Sequence, residues 1–245
     1  GLIRINVETE ELKIFLHSIG DAKSLSSNLI WMLFIDSKKN LCICTTNGLN
    51  CLKPGSEEFI SYKNRKGDPQ SISNNEICSI YEDKTGIIWV GTSDGLNKLD
   101  PSTGKFERIK LDVPVETIYS IELDKGGNFW LGTGKGLVKY NYSSGRTIIY
   151  DVEDGLQSNE FNFPSMVASS GKFYFTGVNG FNVFDPEKVF INKNAPPVYI
   201  TGFSVMNKEI NSGDKFNGKV LFTSAIEDVR SEEHTSELQS RSDLV

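Results

Sequence analysis

Through the middle of the chain, short apolar runs alternate with polar, glycine-bearing turns at a spacing too tight for helices. In the clearest stretch, Glu76–Glu82 sets Ile77, Cys78 and Ile80 among polar neighbours, and Ile87–Thr92 is a short apolar run. Gly95–Leu99 gives a third strand signal and Phe106–Leu111 a fourth. The segments between them, Asp83-Lys84-Thr85-Gly86, Ser93-Asp94-Gly95 and Asp100-Pro101-Ser102-Thr103-Gly104, are rich in residues that favour turns or accept positive φ.

The whole block repeats. Residues 75–101 and 116–141 align without a gap through Asp83/Asp124, Gly86/Gly127, Trp89/Trp130, Gly91/Gly132, Thr92/Thr133, Gly95/Gly136 and Leu96/Leu137. An earlier copy, residues 28–54, keeps Asp36, Thr45, Gly48 and Leu49 but has Cys42 at the Trp position and Cys44 at the position of Gly91. A later one, residues 159–186, has Tyr174 at the Trp position, exchanges Thr176 with Gly177, and closes its loop at Gly180. Gly1, Gly48, Gly95, Gly136 and Gly180 thus recur at intervals of 47, 47, 41 and 44 residues, and Gly1-Leu2 reads as the tail of a truncated repeat. Four strands per repeat of about 40–50 residues is the unit of a propeller blade. The predicted fold class is all-β: a partial β-propeller of about four blades plus a part blade over residues 1–190. The repeated Gly and Trp residues then build the blades, each Trp facing a neighbouring blade. A part blade leaves sheet edges open, so the isolated chain is expected to aggregate.

Composition agrees. Among 245 residues there are 22 Gly, 15 Phe and 8 Tyr, as short strands joined by Gly turns require. A net charge of −6 argues against recognition of nucleic acid or anionic lipid, leaving neutral partners favoured. The beginning GLIRINVETE lacks both an initiator Met and the regions of a signal peptide, so the chain is expected to start within a longer gene. Arg230–Ser240 resembles the in-frame translation of a sequencing adapter, and Arg241–Val245 fits its continuation. Residues 230–245 are therefore expected not to be native.

The run from Glu82 to Leu96, EDKTGIIWVGTSDGL, resembles the two-component regulator propeller repeat of the sensor regions of hybrid two-component systems in polysaccharide-degrading Gram-negative bacteria. Asp154–Phe163, DGLQSNEFNF, with the blade after it, is similar to the end of the last propeller in those sensors. Ala195–Ile210, APPVYITGFSVMNKEI, resembles the start of the immunoglobulin-like Y-Y-Y domain, so residues 191–229 are expected to be a truncated immunoglobulin-like β-sandwich. The resemblance implies a periplasmic sensing region anchored in the inner membrane. It also implies a homodimer that senses an oligosaccharide and signals to a histidine kinase controlling polysaccharide-utilisation genes.

Catalytic chemistry finds little material. With residues 230–245 set aside, His17 is the one histidine left and cannot by itself make a Ser-His-Asp arrangement or a metal cluster, and Cys42-x-Cys44 lacks zinc-knuckle spacing. The repeated acids Asp83 and Asp124 fall in turns once per blade, which is turn chemistry and not a converging glycosidase pair. The expectation is no catalytic residue, no metal and no cofactor. A propeller glycoside hydrolase or lyase and a protein-interaction scaffold are the alternatives. If the first strand of each blade lines the central channel, Asn28, Asn75, Glu116 and Asn159 ring one mouth, with Glu160 and Tyr119 close by. These are the predicted ligand-binding residues, and Trp31 and Phe161 are nearby aromatics able to stack on pyranose rings. Each Asn could equally cap its own turn.

Overall fold

The computed structural model describes residues 1–189 and four two-residue strands beyond them, Ser204–Val205 paired with Lys208–Glu209 and Lys215–Phe216 paired with Lys219–Val220. The chain divides into two compact units, Gly1–Val189 and Phe190–Val245. The expected immunoglobulin-like sandwich and the adapter-like tail lie outside the described residues, those four strands apart.

In the first unit every strand pairs antiparallel with its neighbour in sequence. β1 (Leu2–Ile5) and β2 (Leu12–Phe15) form a hairpin. Three four-stranded sheets follow: β3 (Ile30–Ile35), β4 (Leu41–Thr45), β5 (Gly48–Leu52), β6 (Phe59–Tyr62); then β7 (Ile77–Glu82), β8 (Ile88–Thr92), β9 (Gly95–Asp100), β10 (Lys105–Ile109); then β11 (Ile118–Leu123), β12 (Asn128–Thr133), β13 (Gly136–Asn141), β14 (Thr147–Tyr150). β15 (Phe161–Val167), β16 (Phe173–Gly177) and β17 (Gly180–Phe184) make a three-stranded sheet. The first strands β3, β7, β11 and β15 pack successively on one another. The fold is therefore all-β, a four-blade propeller arrangement preceded by a part blade.

The hydrophobic core lies between blades. Trp89 of β8 is fully buried against Ile118, Ile121, Phe129 and Leu131 of the following blade, and Trp130 against Phe161, Phe173 and Phe175 of the one after. Burying an indole removes roughly 150–250 Å² from water, or about 4–6 kcal/mol of transfer free energy. That exceeds the ~1–3 kcal/mol of any hydrogen bond it makes, so burial supplies the stability and the hydrogen bond sets the ring's orientation. The bond is the same in both repeats: the indole N–H donates to the turn carboxylate, Trp89 to Asp83 at 2.8 Å and Trp130 to Asp124 at 2.9 Å. Each Asp also accepts backbone N–H bonds of its turn, from Thr85 and Ile87 or from Asn128. Burial pushes the Asp83 carboxyl up, but these hydrogen bonds outweigh it and hold it below the usual range. In the earlier repeat, where Cys42 stands in place of Trp, Asn40 supplies both its backbone and side-chain N–H to Asp36.

Two further devices join the blades. The marker Gly48 has φ +126°, and its N–H donates at 2.7 Å to the carbonyl of Asn75 at the entry to the next blade, as Gly95 does to Glu116 at 2.6 Å. A Cβ on Gly48 would sit 2.7 Å from the Tyr62 carbonyl, so both backbone conformation and space require glycine there. Entry loops are also locked by a Ser–Asn exchange: Ser73 N–H donates to Asn97 Oδ1 at 2.9 Å, and Asn97 Nδ2 returns a bond to Ser73 Oγ at 2.8 Å. Ser26 and Asn50 do the same one blade earlier, at 2.9 and 2.7 Å.

Asp124→Ala leaves the buried Trp130 indole N–H and the turn N–H of Asn128 without an acceptor. The expected cost is about 2–4 kcal/mol, measured as a lowered urea midpoint at unchanged slope. A shift equivalent to less than about 0.5 kcal/mol contradicts the assigned role.

Candidate functional site

The pairing of the first two strands slips at one place in each of the first three full blades. In β3 the register passes from Ile30↔Thr45 to Met32↔Cys44, in β7 from Ile77↔Thr92 to Ser79↔Gly91, and in β11 from Ile118↔Thr133 to Ser120↔Gly132. The residue left over is Trp31, Cys78 or Tyr119, the extra residue of a β-bulge, a device that re-aims side chains. In β15 the slip is wider, between Phe161↔Gly177 and Ser165↔Phe175.

The slips face one groove of about 460 Å³ along the inner strands, and all three bulge residues line it. Its walls are mainly apolar, with Met32, Phe34, Ile80, Tyr81, Ile121 and Pro164, and its polar groups are Ser79, Ser120, Ser165 and Glu122. Ser165 Oγ donates to Glu122 Oε1 at 2.9 Å, joining the third blade to the fourth. Burial holds the Glu122 carboxyl above the ordinary range, partly offset by that hydrogen bond. Ser79 Oγ donates to the Ile118 carbonyl at 2.9 Å, whereas the equivalent Ser120 hydroxyl is buried without a protein partner. Trp31 is 46% exposed, unlike Trp89 and Trp130 at 0% and 1%. The lining residues include no cation and a single carboxylate. Such a surface suits a neutral ligand with a flat apolar face and hydroxyls.

Of the six predicted ligand-binding residues, Tyr119 lines the groove. The three Asn residues lie at equivalent blade entries, where their carboxamide oxygens accept backbone N–H bonds of their own loops. Asn28 accepts from His17 at 2.7 Å, Asn75 from Asn64 at 2.7 Å and Asn159 from Val152 at 2.8 Å. Glu116 and Glu160 are exposed, and their backbone carbonyls accept from Gly95 at 2.6 Å and Val178 at 3.2 Å. Phe161, read as a nearby stacking aromatic, is 1% exposed in the core beneath Trp130. Glu122, Ser120, Ser165 and the bulged Cys78 join Trp31 and Tyr119 in the groove. The signal for them was the bulge, which depends on strand register. His17 is exposed, with its ring Nδ1 2.6 Å from the Leu25 carbonyl. Among the described residues no three His, Cys, Asp or Glu side chains are grouped to hold a metal, and no helix is long and apolar enough to cross a membrane.

Residues 71–94 match the family described as "Two component regulator propeller". Over 235 residues the chain is 34% identical to Histidine kinase P4 of Formosa agariphila, a match covering 93% of this chain and 17% of that kinase. Its fold is similar to the extracellular domain of a hybrid two component system of B. thetaiotaomicron, with a TM-score of 0.62 at 24% identity, covering 75% of this chain and 24% of that one. It is also similar to PorZ, a surface component of the type-IX secretion system of Porphyromonas gingivalis, with a TM-score of 0.55 at 16% identity over 74% of this chain and 28% of that one. The chain is thus related by sequence to a histidine kinase of which it spans about a sixth, and shares its fold with the extracellular domain of a hybrid two component system.

Because the Glu122 carboxyl is raised in the folded state, its charge penalises folding above that pKa, and the penalty disappears below the unfolded value. Glu122→Gln keeps the polar contact to Ser165 and removes the titration. The variant is expected to melt above the native chain at about pH 8, the difference shrinking towards zero near about pH 4, the range of an unfolded Glu. A difference independent of pH, or of opposite sign, contradicts the assignment.

Proposed function

We propose that this chain is part of the ligand-sensing region of a hybrid two-component sensor, and that the inner-strand groove takes a neutral oligosaccharide. The observation that carries the sensor reading is the 34% identity to a histidine kinase along nearly the whole chain. The groove supports the ligand reading. The bulge aromatics Trp31 and Tyr119 offer flat apolar faces for pyranose rings, and Ser79, Ser165 and Glu122 offer donors and acceptors for hydroxyls. Retaining and inverting glycosidases work with a pair of carboxylates. Glu122 is the single carboxylate in the groove lining, which favours binding over hydrolysis.

In this reading the region lies in the periplasm and the full protein is anchored in the inner membrane. It acts as a homodimer through the complete ectodomain, with an immunoglobulin-like relay between propeller and kinase. The output is control of polysaccharide-utilisation genes, and nucleic acid is contacted elsewhere in the full protein, not by this acidic region. Ligand binding acts by shifting the population of two arrangements of propeller and relay, and it can do so only through its difference in affinity for the two.

Isothermal titration of the chain with a panel of neutral plant, host and microbial oligosaccharides is expected to give saturable heat with one class. Trp31→Ala, at a half-exposed position, is expected to leave melting nearly unchanged while weakening that binding about tenfold or more, the equivalent of about 1.4 kcal/mol. No saturable heat with any member of the panel, or full affinity in the Ala variant, overturns the reading.

A further inference from the structure

Four thiols crowd the junction of the first two full blades, and two of them face each other. Cys42 on β4 and Cys51 on β5 are directly opposed in the antiparallel register, with Sγ atoms 3.2 Å apart. We propose that Cys42 and Cys51 are an oxidisable pair that closes to a cross-strand disulfide, while Cys44 and Cys78 stay reduced. The inference does not rest on the sensor reading.

Directly opposed cross-strand residues hold their Cβ atoms about 4.5–5.5 Å apart, against about 3.5–4.5 Å in a disulfide. The sulfurs have to approach by about 1 Å to reach bonding distance, which needs a small side-chain rotation and no change of register. The other two thiols lack this arrangement. Cys44 is opposed by Leu49 and fully buried, and the polar neighbours of the Cys78 sulfur are the Ser93 hydroxyl at 3.8 Å and the Glu76 carbonyl at 4.0 Å. All four are free cysteines in this structure. Access is also graded: Cys51 is half-buried, whereas Cys42 is 2% exposed against Ile72, Ile77, Ile80 and Ile88 of the next blade.

The exchange needs a disulfide oxidant, for which oxidised glutathione serves. The Cys51 thiolate attacks one glutathione sulfur, breaking the glutathione S–S bond, expelling one glutathione thiolate and forming a mixed disulfide. The Cys42 thiolate then attacks Cys51 Sγ, breaking the mixed disulfide and expelling the second glutathione thiolate. The two protein thiols lose two protons and two electrons, and glutathione leaves as two thiols. The hydrogen bond with Cys42, together with burial, pushes the Cys51 thiol well up, which makes the first attack the slow step.

The test is to incubate the native chain with oxidised glutathione, quench with acid, alkylate remaining thiols with iodoacetamide in denaturant, digest with trypsin and read the peptides by tandem mass spectrometry. Lys53 precedes Pro54, so Cys42, Cys44 and Cys51 share the peptide of residues 40–63. The expected product is that peptide short of two hydrogens, with its single alkyl group on Cys44, and a separate peptide with Cys78 alkylated. In Cys51→Ser, Cys42, Cys44 and Cys78 are all expected to alkylate. Three alkyl groups on the native 40–63 peptide, a persistent glutathione adduct on Cys51, or a disulfide that includes Cys44 or Cys78 overturns the proposal.

Discussion

A four-stranded blade has a face that it cannot bury alone, and the rest of this structure follows from that constraint. Trp89 and Trp130 project from the second strand of one blade into the apolar residues of the next, and Cys42 and Cys44 do so one blade earlier. The turn carboxylates of Asp83 and Asp124 hold the two indoles in that orientation by their N–H groups. Stability therefore resides in interfaces between repeats, as expected for repeat proteins, and each blade depends on its neighbour for its core. The hairpin β1–β2 shows the unmet side of the same rule: its cross-strand pairs Ile3↔Ile14 and Ile5↔Leu12 are all more than half exposed.

The groove is a product of the same close packing. A Cβ on Gly91 would lie 2.5 Å from the Ile118 carbonyl, so glycine lets the next inner strand approach. At the last blade Thr176 takes that position and donates at 2.8 Å to the Pro164 carbonyl of its own first strand. Where the inner strands crowd together, the bulges turn Trp31, Cys78 and Tyr119 towards the axis instead of into a blade interface. Backbone register thus positions the aromatic residues of the candidate site, and Ser165 positions the carboxylate of Glu122.

Much of the architecture was legible in sequence because each repeat carries its own turn and packing residues. The strands read from Glu76–Glu82 and Ile87–Thr92 occur at Ile77–Glu82 and Ile88–Thr92. Substitutions in the degenerate repeats also make physical sense: where Cys42 takes the place of the indole, Asn40 keeps the bonds to Asp36 that Asn128 makes to Asp124, and in the last blade Ala168 and Tyr174 replace the Asp and Trp together. The candidate site was less legible. Alignment showed that Asn28, Asn75 and Asn159 are equivalent, but equivalence does not give side-chain direction, and their oxygens turn back to their own loops. Phe161 was placed near the channel by its position, yet it pairs with Gly177 ahead of the slip in β15 and lies in the core, as Ile77 and Ile118 do at the equivalent position. Glu122 and the bulge residues become visible only once strands are paired, because a bulge is a property of register between two segments. Residues 191–245, apart from the four short strands, lie outside what the structure describes.

The central claim is that ligand occupies the inner-strand groove, and Trp31 reports on it directly. It is one of three tryptophans, and the other two are buried between blades. Acrylamide quenching of intrinsic fluorescence, titrated with and without an oligosaccharide that gives saturable heat, separates the accessible indole from the buried pair. The account predicts that the quenchable fraction falls as ligand saturates. A quenchable fraction that stays constant through saturation would place the ligand elsewhere and contradict it.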